Sequence, residues 1–253
     1  MGCRDSPVST NINYTYGVPV LHKTYIWLRQ HEDKTMTKII SVIQLKGGAG
    51  KSTVATNLAA MLSEKGKTLL IDADNPQYTA DSWYALRNEA DRTENLNLEN
   101  ATDEYDLANV IRQNSAEEYK YLIIDGPPRI AKATKFMMGI SDLVIIPVNV
   151  SRADIWSTFD TEELVKEELA ERPTLKVRLL LNRYRDFTNS AHEIAAEAKK
   201  ELTIPLMKTK LGFRVAYADA MGLGLSVKEL RDPRATAEIE QLTAETLRLL
   251  KGV

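Results

Sequence analysis

Lys46-Gly47-Gly48-Ala49-Gly50-Lys51-Ser52-Thr53 is the stretch on which the reading turns. Residues 38–45 before it (KIISVIQL) are apolar and β-branched, the composition of a buried strand. Residues 51–65 after it (KSTVATNLAAMLSEK) place apolar side chains at helical spacing and end at Gly66. A glycine-rich turn between a strand and a helix start binds phosphate. Its backbone N–H groups approach the anion and the helix N-terminus favours negative charge. Lys51 would neutralise the phosphates and Ser52 would ligate Mg²⁺. Gly47, Gly48, Ala49, Gly50, Lys51, Ser52 and Thr53 are therefore the expected nucleotide contacts. The common phosphate-loop pattern would put a glycine at position 45, where Leu45 stands. What the run has instead is a second lysine, Lys46, at its start.

Composition narrows the rest. At 253 residues and 43% apolar, the chain can bury a real core as one large α/β domain or two small ones. One cysteine, Cys3, excludes a disulfide framework or a cysteine-ligated cluster built within one chain. No apolar run reaches membrane-spanning length. A net charge of -2 gives no global attraction to nucleic acid, so any such binding needs a local basic patch. Residues 1–35 carry Cys3, Pro7, Pro19, His22 and His31 without a period, and they read as a disordered or non-native leader before a domain spanning 36–253. Met1 to Ser6 formally fits a myristoylation pattern, a six-residue signal of little weight, and no signal-peptide apolar region follows.

Along the chain, further strands are expected at 67–72, 119–125, 142–148, 175–182 and 204–210. Helices are expected at 78–90, 105–114, 153–171, 188–202, 214–221 and 234–251. This alternation implies an α/β fold, a mostly parallel sheet with helices on both faces. The absence of a repeat or long linker favours one domain.

Three motifs fall at strand ends, where an open α/β sheet places its ligand. Asp72-Ala73-Asp74-Asn75-Pro76-Gln77 is either a polar turn or a pair of catalytic carboxylates. Ile123-Ile124-Asp125-Gly126-Pro127-Pro128 is an apolar strand ending in an acid, the Walker B arrangement that holds Mg²⁺. Asn182 ends the run LKVRLLLN, and its amide can donate and accept against a purine edge or simply turn the chain.

Taken with Ile204-Pro205, Arg214, Asp219-Ala220 and Gly222, these motifs resemble the deviant-Walker P-loop ATPases of the ParA/MinD class. The likeness spans about residues 37–250 and fits a small partition ATPase without a helix-turn-helix domain. Asn75, inserted before Pro76, and Asp219, in place of the usual Glu, depart from the family pattern. The resemblance implies ATP and Mg²⁺ as cofactors. It implies that Lys46 reaches the nucleotide of a second subunit and that Asp74 positions or activates the attacking water. It further implies that Asp72 and Asp125 serve the metal and that Asn182 contacts adenine. Such proteins form a homodimer with ATP, bind DNA without sequence preference, and are released when a cargo-bound adaptor protein stimulates hydrolysis. That implies a cytoplasmic, nucleoid-associated protein. The basic residues Arg214, Lys208, Lys210 and Arg231 are the DNA-contact candidates, with Lys228 and Arg234 nearby. Two alternatives stand beside this reading. One is a MinD-like membrane switch, disfavoured by the acids Glu238, Glu240 and Glu245 in the last helix. The other is a metabolic P-loop ligase or synthase.

Overall fold

Strand β1 (Lys38–Val42) alternates its side chains between two separate cores, and that alternation organises the molecule. Ile39 joins an apolar cluster on one face of the sheet and Ile40 a second cluster on the other. Both faces of a parallel sheet must then be covered by helices, which is why its strands read as apolar runs. The computed structural model describes residues 37–114, 118–185 and 188–252. The expected leader at 1–35, its Cys3 and its lipidation pattern lie outside the described residues.

The remaining strands are β2 (Thr68–Asp72), β3 (Leu96–Asn100), β4 (Tyr121–Asp125), β5 (Leu143–Asn149), β6 (Lys176–Tyr184) and β7 (Leu206–Gly212). They form one seven-stranded sheet in the order β3-β2-β4-β1-β5-β6-β7, with every pairing parallel. One face is covered by α1 (Lys51–Ser63), α2 (Thr79–Glu89), α8 (Val215–Gly222) and α9 (Pro233–Lys251). The other is covered by α3 (Glu104–Gln113), α4 (Ala131–Ile140), α6 (Phe159–Glu171) and α7 (Asn189–Glu201). The short α5 (Arg152–Trp156) precedes α6. The expected parallel α/β sheet with helices on both faces is what the chain forms.

Three elements differ from the sequence expectations. β3 (LNLEN) has a single buried residue, Leu96, and as an edge strand needs no apolar run. α4 follows directly on the loop of Pro127 and Pro128, whose turn residues mask the helix start. The single helix expected at 153–171 is α5 and α6, separated at Ser157 and Thr158. There the Thr158 hydroxyl donates to the Asp154 carbonyl, competing with the helical ladder.

The apolar face of α9 is spent on the core through Ala235, Ile239 and Leu242. Among the described residues no helix is long and apolar enough to cross a membrane.

Candidate nucleotide site

Parallel register gathers the site. Asp125 lies opposite Val42 on one neighbouring strand and Asp72 on the other, so the loops after β1, β2 and β4 leave the sheet at one level. Asn149, which ends β5, and Asn182, two residues before the end of β6, are also register partners.

The loop after β1 turns through Gly48 (φ 75°) and Gly50 (φ 95°), backbone that residues with a Cβ rarely adopt. A Cβ on Gly50 would lie 2.2 Å from the Asn182 amide nitrogen. Gly50 starts α1 with no side-chain cap, and the first turn of the helix holds no acid. The donors at that end are thus left for an anion.

Asn182 explains why the loop holds its shape. Its Nδ2 donates to the Ala49 carbonyl at 2.8 Å, and its Oδ1 accepts the Arg183 N–H at 2.9 Å. Both ends of the amide are engaged by protein. The amide braces the phosphate loop, and its second N–H and second lone pair are left for the base contact expected of it. Asn149 adds a second brace, Nδ2 to the Gly48 carbonyl at 3.4 Å.

Lys51 is buried, and burial pulls its pKa below the usual lysine range while Asp125 and Asp74 oppose that shift. Asp125 has no exposed surface, and neither of its oxygens has a hydrogen-bond partner among the described residues. Burial first, then the neighbouring Asp72 charge, push it up to about 8; Ser52 and Lys51 pull the other way. A buried acid faced by no well-formed donor, with Ser52 and Lys51 nearby, is costly unless a cation meets it. This orphaned pair of oxygens is what a magnesium ion would satisfy. Asp74 is buried as well, and burial raises its pKa while Lys51 opposes the shift.

Asp72, expected to serve the metal, is engaged by backbone donors. Its Oδ1 accepts the Asp74 N–H at 3.0 Å, and its Oδ2 accepts the N–H groups of Ala80 (2.8 Å) and Asp81 (3.0 Å). It ties the Asp74 turn to the first turn of α2 and so positions Asp74.

Lys46 stands apart from Lys51. It is about one-third exposed and forms an ion pair with Asp154 at 2.8 Å. The Ser151 hydroxyl holds the other Asp154 oxygen. Gln44, buried below, bonds Thr158 and Thr161 and accepts the Lys46 N–H. Sequence reasoning missed Asp154. Ser151-Arg152-Ala153-Asp154 has a capping-box spacing, which signals a helix start but not a partner for Lys46.

A cavity of about 430 Å³ is lined by Asn149, Ser151, Asp154, Arg183, Arg185 and Phe213, among others. The Arg185 guanidinium lies 4.8 Å from the centre of the exposed Phe213 ring.

The DNA candidates do not form one free patch. Arg214 is bound to Glu238 through Nε (2.9 Å) and Nη2 (2.5 Å), while Glu238 also accepts from the Gly212 N–H and the Tyr217 hydroxyl. The residue singled out first for DNA is thus spent within the fold. Lys228 is paired with Glu64. Lys208 and Lys210 are exposed on the same side of the edge strand β7, Lys210 lying over the Tyr184 ring, and Arg231 and Arg234 are exposed beyond.

A deviant phosphate loop on a parallel sheet, facing a buried strand-end acid and carrying a second lysine outside its own cradle, defines a P-loop ATPase of the ParA/MinD class. The family model described as VirC1 protein matches residues 37–248, and the chain belongs to that family. Among curated relatives, maintenance of carboxysome distribution protein A of Halothiobacillus neapolitanus is 29% identical over 212 residues, covering 82% of this chain and 95% of its own. Chromosome partitioning protein ParA of Myxococcus xanthus is 30% identical over 206 residues, covering 65% and 71%. The fold is shared with cobyrinic acid a,c-diamide synthase of Mycobacterium smegmatis bound to ADP and magnesium (TM-score 0.66, 18% identity, 85% of this chain and 96% of that one).

Proposed function

We propose that the protein is an ATP-driven positioning switch, in which two copies close over ATP, bind DNA without sequence preference, and separate after hydrolysis. The observation that carries this reading is the division of labour between the two lysines. Lys51 is buried beside Asp125 and Asp74, whereas Lys46 is partly exposed and ion-paired to Asp154. A lysine so placed is available to another subunit and not needed by its own phosphate site. The names of the relatives point the same way, since they distribute carboxysomes or partition chromosomes.

The residues present fit ATP and Mg²⁺, because the open loop donors, buried Lys51 and the orphaned Asp125 oxygens are complementary to phosphate and cation. When bound, magnesium ATP supplies the phosphoanhydride that is broken and part of its charge neutralisation. The chain's own residues then bind and orient. Lys51 and the loop N–H groups hold the phosphates, and Ser52 and Asp125 serve the cation. Asp74, fixed by Asp72, accepts a hydrogen bond from the attacking water. The cavity beside Phe213 and Arg185 receives the nucleoside end and offers a stacking platform. Loss of the γ-phosphate removes the contact that favours the dimer, so the population returns to monomer.

DNA contacts fall to Lys208, Lys210, Arg231 and Arg234, which are exposed, and not to Arg214. With a net charge of -2, one copy concentrates too little positive charge, and pairing two copies doubles it on one surface. Fluorescence anisotropy with a random-sequence duplex tests this. Binding with ATP that falls steeply with salt and is absent with ADP is expected. Equal binding in both nucleotides would refute it.

A further inference from the structure

Helices α1 and α2 follow the phosphate loop and the Asp74 turn, and a turn from late in the chain joins the two. Residues 223–231, between α8 and α9, form neither helix nor strand, yet Gly224, Ser226 and Val227 are buried. On the α2 side, the Trp83 indole N–H donates to the Leu225 carbonyl at 3.0 Å. One helical turn on, Arg87 donates to the Gly224 carbonyl at 3.1 Å and to the two Glu229 oxygens at 2.7 and 2.8 Å. The Ser226 N–H and hydroxyl also donate to Glu229. Gly224, at φ 65°, lies so close to α2 that a Cβ there would be 2.6 Å from the Arg87 backbone nitrogen. On the α1 side, the Asn57 side-chain oxygen accepts the Val227 N–H at 2.9 Å. Its amide nitrogen donates to the carbonyl of Thr53, the last residue of the phosphate-loop run. Lys228 pairs with Glu64, just past the end of α1.

The two helices depend on this turn unequally. α1 is buried along most of its length, whereas α2 buries only Ala80, Trp83 and Arg87. Two of those three are the residues that grip the turn. The Asp74 turn also enters α2 through Tyr78 at φ 43° and ψ 49°. A bulky side chain holds that left-handed backbone only where its surroundings over-determine it. Asp72 holds the near end of α2, and Trp83 and Arg87 hold the rest.

We infer that the 223–231 turn is a clamp between α1 and α2 that sets Asp74 against the phosphate loop, with Trp83, Arg87 and Glu229 as positioning residues for ATP hydrolysis. This rests on the role proposed above for Asp74. The three act through α2. Loosening the clamp therefore slows the chemical step and leaves nucleotide binding to the loop and the buried α1.

The test is ATPase kinetics and hydrogen exchange of Glu229→Gln and Trp83→Phe in the full chain, with exchange read on the magnesium ADP complex. A kcat lower by about fivefold or more, with KM and ADP affinity within about twofold, is expected. Peptides spanning residues 74–82 should exchange faster while those of β5 stay unchanged. Trp83→Phe keeps the aromatic packing and removes the indole N–H. It keeps the test valid if Glu229→Gln, which leaves a buried cation poorly paired, fails to fold. Exchange raised alike in 74–82 and in β5 marks a general loss of stability and overturns the proposal. So does an unchanged kcat, or a change in KM alone. If the wild type hydrolyses no ATP, the reading of Asp74 fails, and the exchange pattern still decides the clamp: residues 74–82 unmoved in both variants overturn it.

Discussion

Asp125→Asn should stabilise the nucleotide-free protein at alkaline pH and abolish its stabilisation by magnesium nucleotide. Asp125 is fully buried, its oxygens are unpartnered, and its pKa is pushed up to about 8 by burial and by Asp72. An acid whose folded pKa lies above its unfolded value binds more protons in the folded state. Stability is therefore lost as pH rises through the window from about 4 to about 8 and is constant above it. Four units at about 1.4 kcal/mol each set an upper limit near 6 kcal/mol. Water entry and local relaxation relieve much of that, leaving about 1–3 kcal/mol. The neutral amide escapes this term. Urea unfolding of both proteins without nucleotide, at about pH 5, 6.5 and 8.5, reads it, because titrations away from Asp125 and its charged neighbours cancel in the difference. The advantage of Asp125→Asn should grow with pH and level off near 8. A difference independent of pH, or a variant less stable at pH 8.5, would refute the reasoning. Magnesium ADP should raise the midpoint of the wild type and leave the variant's almost unmoved.

Asn182→Ala should weaken ATP and GTP binding alike by about 3–10-fold, the worth of one lost hydrogen bond on the loop (~1 kcal/mol), as read by calorimetry. A loss confined to ATP would point to the base contact instead. Arg214→Ala should lower stability by about 1–2 kcal/mol in thermal melts, since Glu238 loses a charged partner, and should leave the salt slope of DNA binding unchanged. Lys46→Gln should leave ADP affinity within about twofold in calorimetry and abolish ATP-dependent dimerisation, because Lys46 contacts Asp154 and not its own loop cradle.

The sequence shows which residues stand at strand ends, and the site depends on that. The phosphate loop, Asp72, Asp125 and Asn182 all lie where the apolar runs stop, and the parallel register brings them level. What it conceals is which long or polar side chain meets which. Asp72 and Asp125 look alike as strand-end acids, yet one is saturated by three backbone donors and the other has none. Arg214 and Glu238 are 24 residues apart, and only the packing of α9 beside β7 makes them partners. Asn182 reaches the loop 133 residues before it. β3 was hidden for another reason: an edge strand can form with one buried residue, so its pattern carries no period.

In the proposed switch, ATP controls the association of two copies and thereby DNA binding. The most direct measurement is the mass in solution of the full chain with ADP, with ATP, and of Asp74→Ala with ATP, each with and without a nonspecific duplex. A monomer with ADP, a dimer with ATP that binds the duplex, and a longer-lived dimer in Asp74→Ala are expected. A monomer in every state, or a dimer indifferent to nucleotide and DNA, would contradict the switch and leave a metabolic P-loop enzyme as the better account.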